Sequence, residues 1–141
     1  MIKEQLPILI LAVPLLTSFA IAIFARRSKG LAYALLVMAM GASFVCSLGV
    51  LKQIIQTAAI IHYKVGGWQP PFGIELVIDQ LNAMVLAIVS GAAFLTAIYS
   101  KHTVQSEVPH RFSGEEIPER VPNYYTLYAL LVTGLLGIVA T

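Results

Sequence analysis

The chain has 141 residues, of which 58% are hydrophobic and only 11% are charged, and its mean hydropathy is +0.83. Soluble globular domains contain about 25% charged residues, so this composition indicates a membrane protein. The formal net charge of +2 is small and its basic residues are scattered, which argues against a nucleic-acid surface. Lipid and other hydrophobic helices are therefore the expected partners. The single cysteine, Cys46, excludes a disulfide framework and thiolate metal sites.

Apolar stretches predict the fold, because crossing the hydrocarbon core takes about 20 helical residues. The stretches that approach this length are residues 6–25, 31–56, 80–100 and 124–141. The predicted fold class is all-α, a polytopic membrane protein with an outer loop at 57–79 and a cytoplasmic loop at 101–123. The first stretch carries no ionisable group on any face, so a buried helix of a soluble fold is disfavoured. Pro14 in its middle predicts a kink and a free backbone carbonyl.

Basic residues predict the orientation, since they favour the cytoplasmic side. Those expected on one side are Arg26, Arg27, Lys29, Lys101, Arg111 and Arg120. Those expected on the other side are Lys3, Lys52 and Lys64. The first basic cluster follows the first apolar stretch rather than preceding it, which argues against a cleaved signal peptide. The distribution predicts a multi-pass protein of the cell membrane with its N-terminus outside.

Two of the predicted helices carry small residues at a spacing of four. These helix-packing candidates are Ala39, Ser43 and Ser47 in the second helix and Ala83, Ala87 and Gly91 in the third. Small side chains at this spacing let helices approach closely in lipid. The pattern predicts a packed bundle without identifying a partner.

The loop at 57–79 is the most distinctive segment. Its candidate structural or docking residues are Gly66, Gly67, Trp68, Pro70, Pro71, Phe72, Gly73 and Asp79. The glycines and prolines exclude regular helix and favour a fixed turn structure. One interpretation is a docking surface or an ion entrance with Lys64, Glu75 and Asp79 as its charged members. The other is an ordered cap on the outer end of the bundle, anchored at the headgroups by Trp68 and Phe72.

Helix starts can be predicted at two positions. Asp79 precedes the third helix and is expected to accept its backbone N–H groups as an N-cap. As a proton relay it is a weak candidate, because it does not lie well inside a span. Asn123 is the predicted N-cap of the fourth helix, since Pro109, Pro118 and Pro122 are expected to interrupt any helix before it.

Chemistry-bearing motifs are sparse. No predicted span has Asp, Glu, Lys, Arg or His near its middle, whereas a complete ion carrier or proton pump needs such groups at membrane depth. His102 and His110 lack the spacing of a metal-binding pair, so a solvated loop is favoured there. The sequence has no phosphate loop, catalytic triad, haem motif or iron–sulfur motif. No catalytic site, metal or cofactor is therefore expected.

The segment VGGWQPPFGIELVIDQLNA, residues 65–83, resembles the outer loop and third-helix start of the D subunit of the Mrp-type sodium/proton antiporters. It is also similar to the related antiporter-like subunits of complex I and of membrane-bound hydrogenases. YYTLY at 124–128 and LLGIVAT at 135–141 resemble the fourth helix of that family. The resemblance implies the N-terminal transmembrane helices of an antiporter-like bundle, partnered by other membrane subunits. The family's ion path uses a glutamate in helix five and lysines in later helices, which this chain does not contain.

Two hypotheses of different classes follow. The resemblance implies the N-terminal, structural part of an antiporter-like subunit in a multisubunit complex that translocates Na⁺ or H⁺. The alternative is a stand-alone structural or assembly subunit that descends from such an antiporter-like protein, because its small-residue faces require neighbours. An independent four-helix carrier is disfavoured by the lack of buried charge. The coupling reaction and the choice between Na⁺ and H⁺ depend on subunits outside this chain.

Overall fold

The structure, a computed structural model, describes residues 5–24, 28–68, 71, 73–111 and 117–141. Its helices are α1 (Leu6–Phe24), α2 (Lys29–Thr57), α3 (Gln80–Arg111) and α4 (Ile117–Ala140). Between α2 and α3 lie the strands β1 (Ile61–Lys64) and β2 (Glu75–Ile78), with a short 3-10 turn at Val65–Gly67 after β1. All four helices are long and apolar enough to cross a membrane. The predicted helical, multi-pass membrane fold is confirmed.

The four helices form a bundle in which each helix has two main neighbours. Helices α1 and α3 each pack against both α2 and α4, and α2 also contacts α4 across the bundle. Fully buried side chains from every helix meet in the interior, among them Ile10, Leu36, Met40, Leu86 and Leu136. Many large apolar side chains remain exposed on the outside. This arrangement suits a bundle surrounded by lipid, because the apolar side chains on its exterior contact lipid tails instead of water.

Local signals explain where α2 begins and ends. Ser28 is its N-cap, and the Ser28 Oγ accepts from the Leu31 N–H at 3.4 Å. At the other end Ala58 takes a left-handed conformation with φ of 50°. The Ala58 N–H still donates to the Ile54 carbonyl at 2.8 Å. This turn directs the chain from the helix toward β1.

The connection between α3 and α4 differs from the predicted loop at 101–123. Helix α3 continues to Arg111, with Pro109 costing one backbone hydrogen bond near its end, and α4 already begins at Ile117. Pro118 lies in the first turn of α4, where a missing N–H leaves no intrahelical bond unmade. Pro122 lies inside α4, so the predicted N-cap Asn123 falls within the helix rather than at its start.

The two strands pair antiparallel, with Ile61 opposite Ile78 and Lys64 opposite Glu75. Ile61, Tyr63, Leu76 and Ile78 share one face, on which Leu76 and Ile78 are buried, while Val77 lies on the other face opposite His62. Strand β2 contacts both α3 and α4. The sequence analysis predicted turns here and missed the strands. Alternation of apolar and polar residues in IHYK, and the short apolar run with two β-branched residues in ELVI, are the signals that indicate them.

Candidate functional site

The hairpin formed by β1 and β2 carries several polar and charged side chains at one end of the bundle. On its exposed face, the His62 Nδ1 lies 3.1 Å from the Glu75 Oε1. The two side chains are 56% and 23% exposed, so water reaches both. Lys64 stands opposite Glu75 in the register. These groups form a polar outer surface rather than a buried reactive centre.

Hydrogen bonds fix the hairpin to the bundle. The Tyr63 hydroxyl donates to the Gln5 Oε1 at 2.7 Å, which ties β1 to the residue that precedes α1. The Asn82 side chain donates to the Val77 carbonyl at 3.2 Å, which ties β2 to the first turn of α3. Together with the buried Leu76, these contacts hold the hairpin across the end of the helices.

Asp79 links β2 to α3. Its Oδ1 accepts the Asn82 N–H at 2.7 Å, and its carbonyl accepts the Ala83 N–H at 3.0 Å. This is N-cap geometry, in which a carboxylate satisfies a backbone donor at the positive end of the helix. The predicted capping of α3 by Asp79 is therefore observed, while a docking role for the same residue stays a prediction.

The turn between the strands depends on glycine at three positions. Gly66 and Gly67 have φ of 69° and 78°, a region that favours glycine. A Cβ on Gly73 would lie 2.5 Å from the Trp68 carbonyl oxygen, so the chain can close over itself only without a side chain there. Trp68 is 68% exposed, and Pro71 is also exposed. The candidates Pro70 and Phe72 lie outside the described residues.

The small-residue candidates on α2 and α3 lie inside the chain's own bundle. Five of the six are buried: Ala39, Ser43, Ser47, Ala83 and Ala87. The Ser47 and Ser90 hydroxyls meet at 2.7 Å across the α2–α3 interface. Gly91 faces α2 as well, since a Cβ there would contact the Phe44 ring. These stripes are used within the bundle and give no evidence for an external partner.

Two phenylalanines complete this interface, and the sequence analysis missed both. A Cβ on Gly41 would lie 3.1 Å from the Phe94 ring, and a Cβ on Gly91 would lie 3.0 Å from the Phe44 ring. The two rings stack with centroids 6.2 Å apart. The signal is a repeated pattern, GASF at 41–44 and GAAF at 91–94. In antiparallel helices it places each ring over the other helix's glycine.

Ser43 faces α1 and binds the backbone carbonyl that Pro14 was predicted to leave free. A proline has no N–H, so Pro14 cannot donate to the carbonyl of Ile10 four residues earlier. The Ser43 Oγ donates to this carbonyl at 3.2 Å, in a buried position. The freed carbonyl is thus satisfied by a neighbouring helix, as apolar surroundings demand.

Tyrosines join the helices near the opposite end. The Tyr33 hydroxyl of α2 donates to the Ile98 carbonyl at 3.2 Å, and the Tyr128 hydroxyl of α4 donates to the Ala93 carbonyl at 2.9 Å. The Lys101 Nζ lies 5.5 Å from the centroid of the Tyr33 ring. Both donors bind backbone atoms of α3, so they lock its position relative to its two neighbours.

No reactive constellation emerges from these contacts. Among the residues described, no three His, Cys, Asp or Glu side chains are arranged to hold a metal ion. Near the middle of the spans the hydrogen-bonding side chains are hydroxyls, such as the Ser47 and Ser90 pair. The geometry supports packing and capping of a membrane bundle.

Two known proteins match this chain, one of them over nearly all of its length. The N subunit of NADH-quinone oxidoreductase from Desulforudis audaxviator (strain MP104C) is 34% identical over 143 residues, which cover 97% of this chain. The D subunit of a probable K(+)/H(+) antiporter from Rhizobium meliloti (strain 1021) is 34% identical over 79 residues, 56% of the chain. The chain is homologous to antiporter-like membrane subunits. The predicted resemblance is thereby confirmed, although no family model matches the sequence.

Solved structures of antiporter-like subunits share the fold. A chain of the membrane-bound sulfane sulfur reductase, an archaeal respiratory membrane complex, aligns with a TM-score of 0.75 and 26% identity over 97% of this chain. A chain of the Mrp complex from Dietzia sp. DQ12-45-1b aligns with a TM-score of 0.70 and 20% identity over the whole chain. Both neighbours come from multisubunit membrane complexes.

The match covers only part of each relative. The chain spans 26% of the length of the NADH-quinone oxidoreductase subunit and 12% of the antiporter subunit. It spans 26% and 23% of the two solved chains. The chain therefore corresponds to about a quarter or less of each of these proteins.

Proposed function

We propose that this chain is the N-terminal part of an antiporter-like subunit in a multisubunit membrane complex that translocates Na⁺ or H⁺. Within that subunit the segment is structural: it packs beside the ion path and orients the bundle. The observation that carries the proposal is the match of 97% of the chain to about a quarter of such subunits. That matched quarter consists of spans without an ionisable side chain near their middle.

The interior chemistry supports a structural role. An ion path across a membrane needs ionisable groups at depth, with partners that stabilise them. Here the buried polar side chains of the described spans are mainly serine hydroxyls that donate to backbone carbonyls. The Ser43 bond to Ile10 and the Ser47–Ser90 pair join helices, and none of these hydroxyls offers an exchangeable charge. Ion-binding groups would belong to another part of the subunit or to its partners.

The proposed orientation places the hairpin and the N-terminus outside the cell membrane. Tyr63 contacts Gln5, so the hairpin lies at the end of the bundle where α1 begins. The basic residues Arg26 and Arg27 follow the other end of α1, and the positive-inside rule favours that end in the cytoplasm.

The partners in this proposal are other membrane subunits and the lipid bilayer, with no nucleic acid. The hypothesis of a stand-alone assembly subunit is less well supported, because its basis was that the small-residue faces need helices of a partner. Ser47 and Ala83 are fully buried within the chain itself, so these faces already have neighbours.

Affinity purification from native membranes, followed by mass spectrometry of intact subunits, tests the assignment. The tag is placed on this chain, and a mild detergent keeps the complex together. We expect the full polypeptide that contains this segment, or a polypeptide that copurifies with it, to carry an intramembrane Lys and Glu of the antiporter type. A stable complex without any such polypeptide would contradict the proposal.

Cysteine labelling tests the orientation. In a Cys46→Ser background, Lys64→Cys places a single exposed thiol of this chain on the hairpin, and His102→Cys places one at the far end of the α3 span. A membrane-impermeant maleimide added to intact cells should label position 64. It should label position 102 only after permeabilisation. The reverse pattern would place the hairpin in the cytoplasm.

A further inference from the structure

An open groove lies between the end of α2 and the beginning of α3, next to the hairpin. Its volume is about 820 Å³. The side chains that shape it are Ile55, Ile60, Leu81 and Met84, with Asp79 and Gln80 at its polar rim. None of the residues assigned to helix packing or to the hairpin turn, apart from Asp79, contributes to it. The groove therefore requires an explanation of its own.

The groove opens on the outside of the bundle, although Ile54, which also lines it, is buried in the core. Ile55, Ile60, Leu81 and Met84 are each between 52% and 68% exposed. Three of them lie in the candidate spans Gly30–Thr57 and Gln80–Val104, close to the ends next to the hairpin. An apolar wall at this depth adjoins the upper acyl chains of a leaflet, and a rim beyond it adjoins the headgroups.

Asp79 gives the rim a negative charge and can accept further hydrogen bonds. The Asp79 Oδ1 accepts one backbone hydrogen bond from Asn82, while a carboxylate can accept about four. Among the described side chains the contact between a basic and an acidic group is His62 with Glu75, and no described Lys, Arg or His is paired with Asp79. The exposed Gln80 amide stands beside it and can donate a hydrogen bond. The rim is therefore complementary to a ligand that has a cationic group next to a hydrogen-bond acceptor.

We propose that this groove binds one phospholipid whose headgroup ends in a primary ammonium, as in phosphatidylethanolamine. The ammonium donates to the Asp79 carboxylate, the phosphodiester accepts from the Gln80 amide, and an acyl chain lies along Ile55, Leu81 and Met84. Anionic headgroups are disfavoured by the Asp79 charge, and a quaternary choline has no N–H to donate. The lipid site goes beyond the proposed function and does not depend on it.

The charge of Asp79 determines whether a lipid or an apolar protein helix fits the groove better. An apolar helix seated in the groove would remove Asp79 from water without supplying a counter-ion, and an unpaired carboxylate is costly to bury. A lipid leaves the rim in the headgroup layer, where water and the ammonium both reach it. The electrostatics of the rim therefore favour a lipid over an apolar helix.

Photocrosslinking identifies the occupant. The assembled complex, with benzoylphenylalanine in place of Met84, is placed in nanodiscs of equal parts phosphatidylethanolamine, phosphatidylglycerol and phosphatidylcholine. After illumination, mass spectrometry identifies the covalent adducts of this chain. A complex with the crosslinker at Leu95, which is 67% exposed on the same helix and outside the groove, reports the bulk lipid composition.

We expect phosphatidylethanolamine adducts at position 84 to be enriched about two- to five-fold over position 95, the range expected of one interfacial ion pair. Asp79→Asn should abolish this enrichment, because Asn caps a helix as well as Asp does but carries no charge. Glu75→Gln, which removes a carboxylate from the hairpin outside the groove, should leave it unchanged. Bulk lipid proportions at position 84, a protein adduct there, no adduct there while position 95 reacts, or enrichment that survives Asp79→Asn would overturn the proposal.

Discussion

The α2–α3 interface at mid-span and the hairpin at the end of the bundle are held by different forces. At mid-span, phenylalanine rings lie over glycines, and a buried Ser47–Ser90 pair joins the helices. At the hairpin, the polar contacts are exposed, such as His62 with Glu75 and Tyr63 with Gln5. Lipid tails are as apolar as leucine, so helices in a membrane gain little from burying apolar surface against each other. Close fit must therefore hold the first region, whereas apolar burial of Leu76 and Ile78 can hold the second.

This difference predicts how the two regions respond to substitution. A volume change at mid-span should cost much, because packed interiors do not yield easily. A charge change on the exposed face of the hairpin should cost little, because water and salt screen it. Variants in each region, compared in the same detergent, test this contrast.

The largest effect is expected from Gly91→Leu. A Cβ at this position already lies 3.0 Å from the Phe44 ring, so a longer side chain must push α2 and α3 apart. Overpacking of this kind costs about 1–3 kcal/mol. We expect a clear fall in the melting temperature of the purified protein and faster proteolysis between α2 and α3.

Gly134→Leu is the matched control for that variant. Gly134 lies in a helical span too, but a Cβ there would have no heavy atom within 4 Å. Its effect should stay within about 0.5 kcal/mol, as for most surface substitutions. Equal losses for the two variants would mean that the clash with Phe44 does not account for the loss in Gly91→Leu, since Leu has a higher helix propensity than Gly.

Ser43→Ala should have the next largest effect. It removes the donor to the Ile10 carbonyl, which Pro14 cannot satisfy, and an unpaired buried acceptor costs about 1–3 kcal/mol. In a Pro14→Ala background the new backbone N–H can bind this carbonyl, so the cost of Ser43→Ala should fall. Unfolding in graded SDS measures both costs. The same cost in both backgrounds would show that Ser43 acts through packing alone.

Several of these features could be predicted from the sequence because one local rule governs each. The length of an apolar stretch fixes a membrane span, so all four spans were found. A missing N–H at Pro14 frees one carbonyl whatever the fold. A carboxylate that precedes a helix, like Asp79, finds backbone donors within three residues.

Other features depend on context that a single stretch of sequence does not carry. Hydropathy marks the part of a helix inside the membrane, so the extension of α3 to Arg111 went unseen. Pro118 was expected to interrupt a helix, but its effect depends on whether it falls in the first turn. Small-residue stripes predict close approach without naming the neighbour, so the seating of Phe44 on Gly91 emerged only from the fold.

Asp79→Ala should have a moderate effect on stability. Loss of an N-cap costs about 1 kcal/mol, here through the lost bond to the Asn82 N–H. Hydrogen exchange should speed up at the first turn of α3 and stay unchanged at its middle. Asp79→Asn should retain most of the stability, since it retains the cap. Similar exchange in the Ala variant and the unmodified protein would show that the contacts of β2 alone hold this helix start.

The smallest effect is expected from Glu75→Gln. The variant removes the charge that faces His62 at 3.1 Å, but the His62 side chain is 56% exposed, and surface pairs of this kind contribute about 0–1 kcal/mol before screening. We expect the melting temperature to change by less than the Gly91→Leu shift at every salt concentration tested. Leu76→Ala, on the buried face of the same strand, should cost more than Glu75→Gln because it leaves a cavity. If Glu75→Gln were the more damaging of the two, polar contacts rather than apolar burial would hold the hairpin on the bundle.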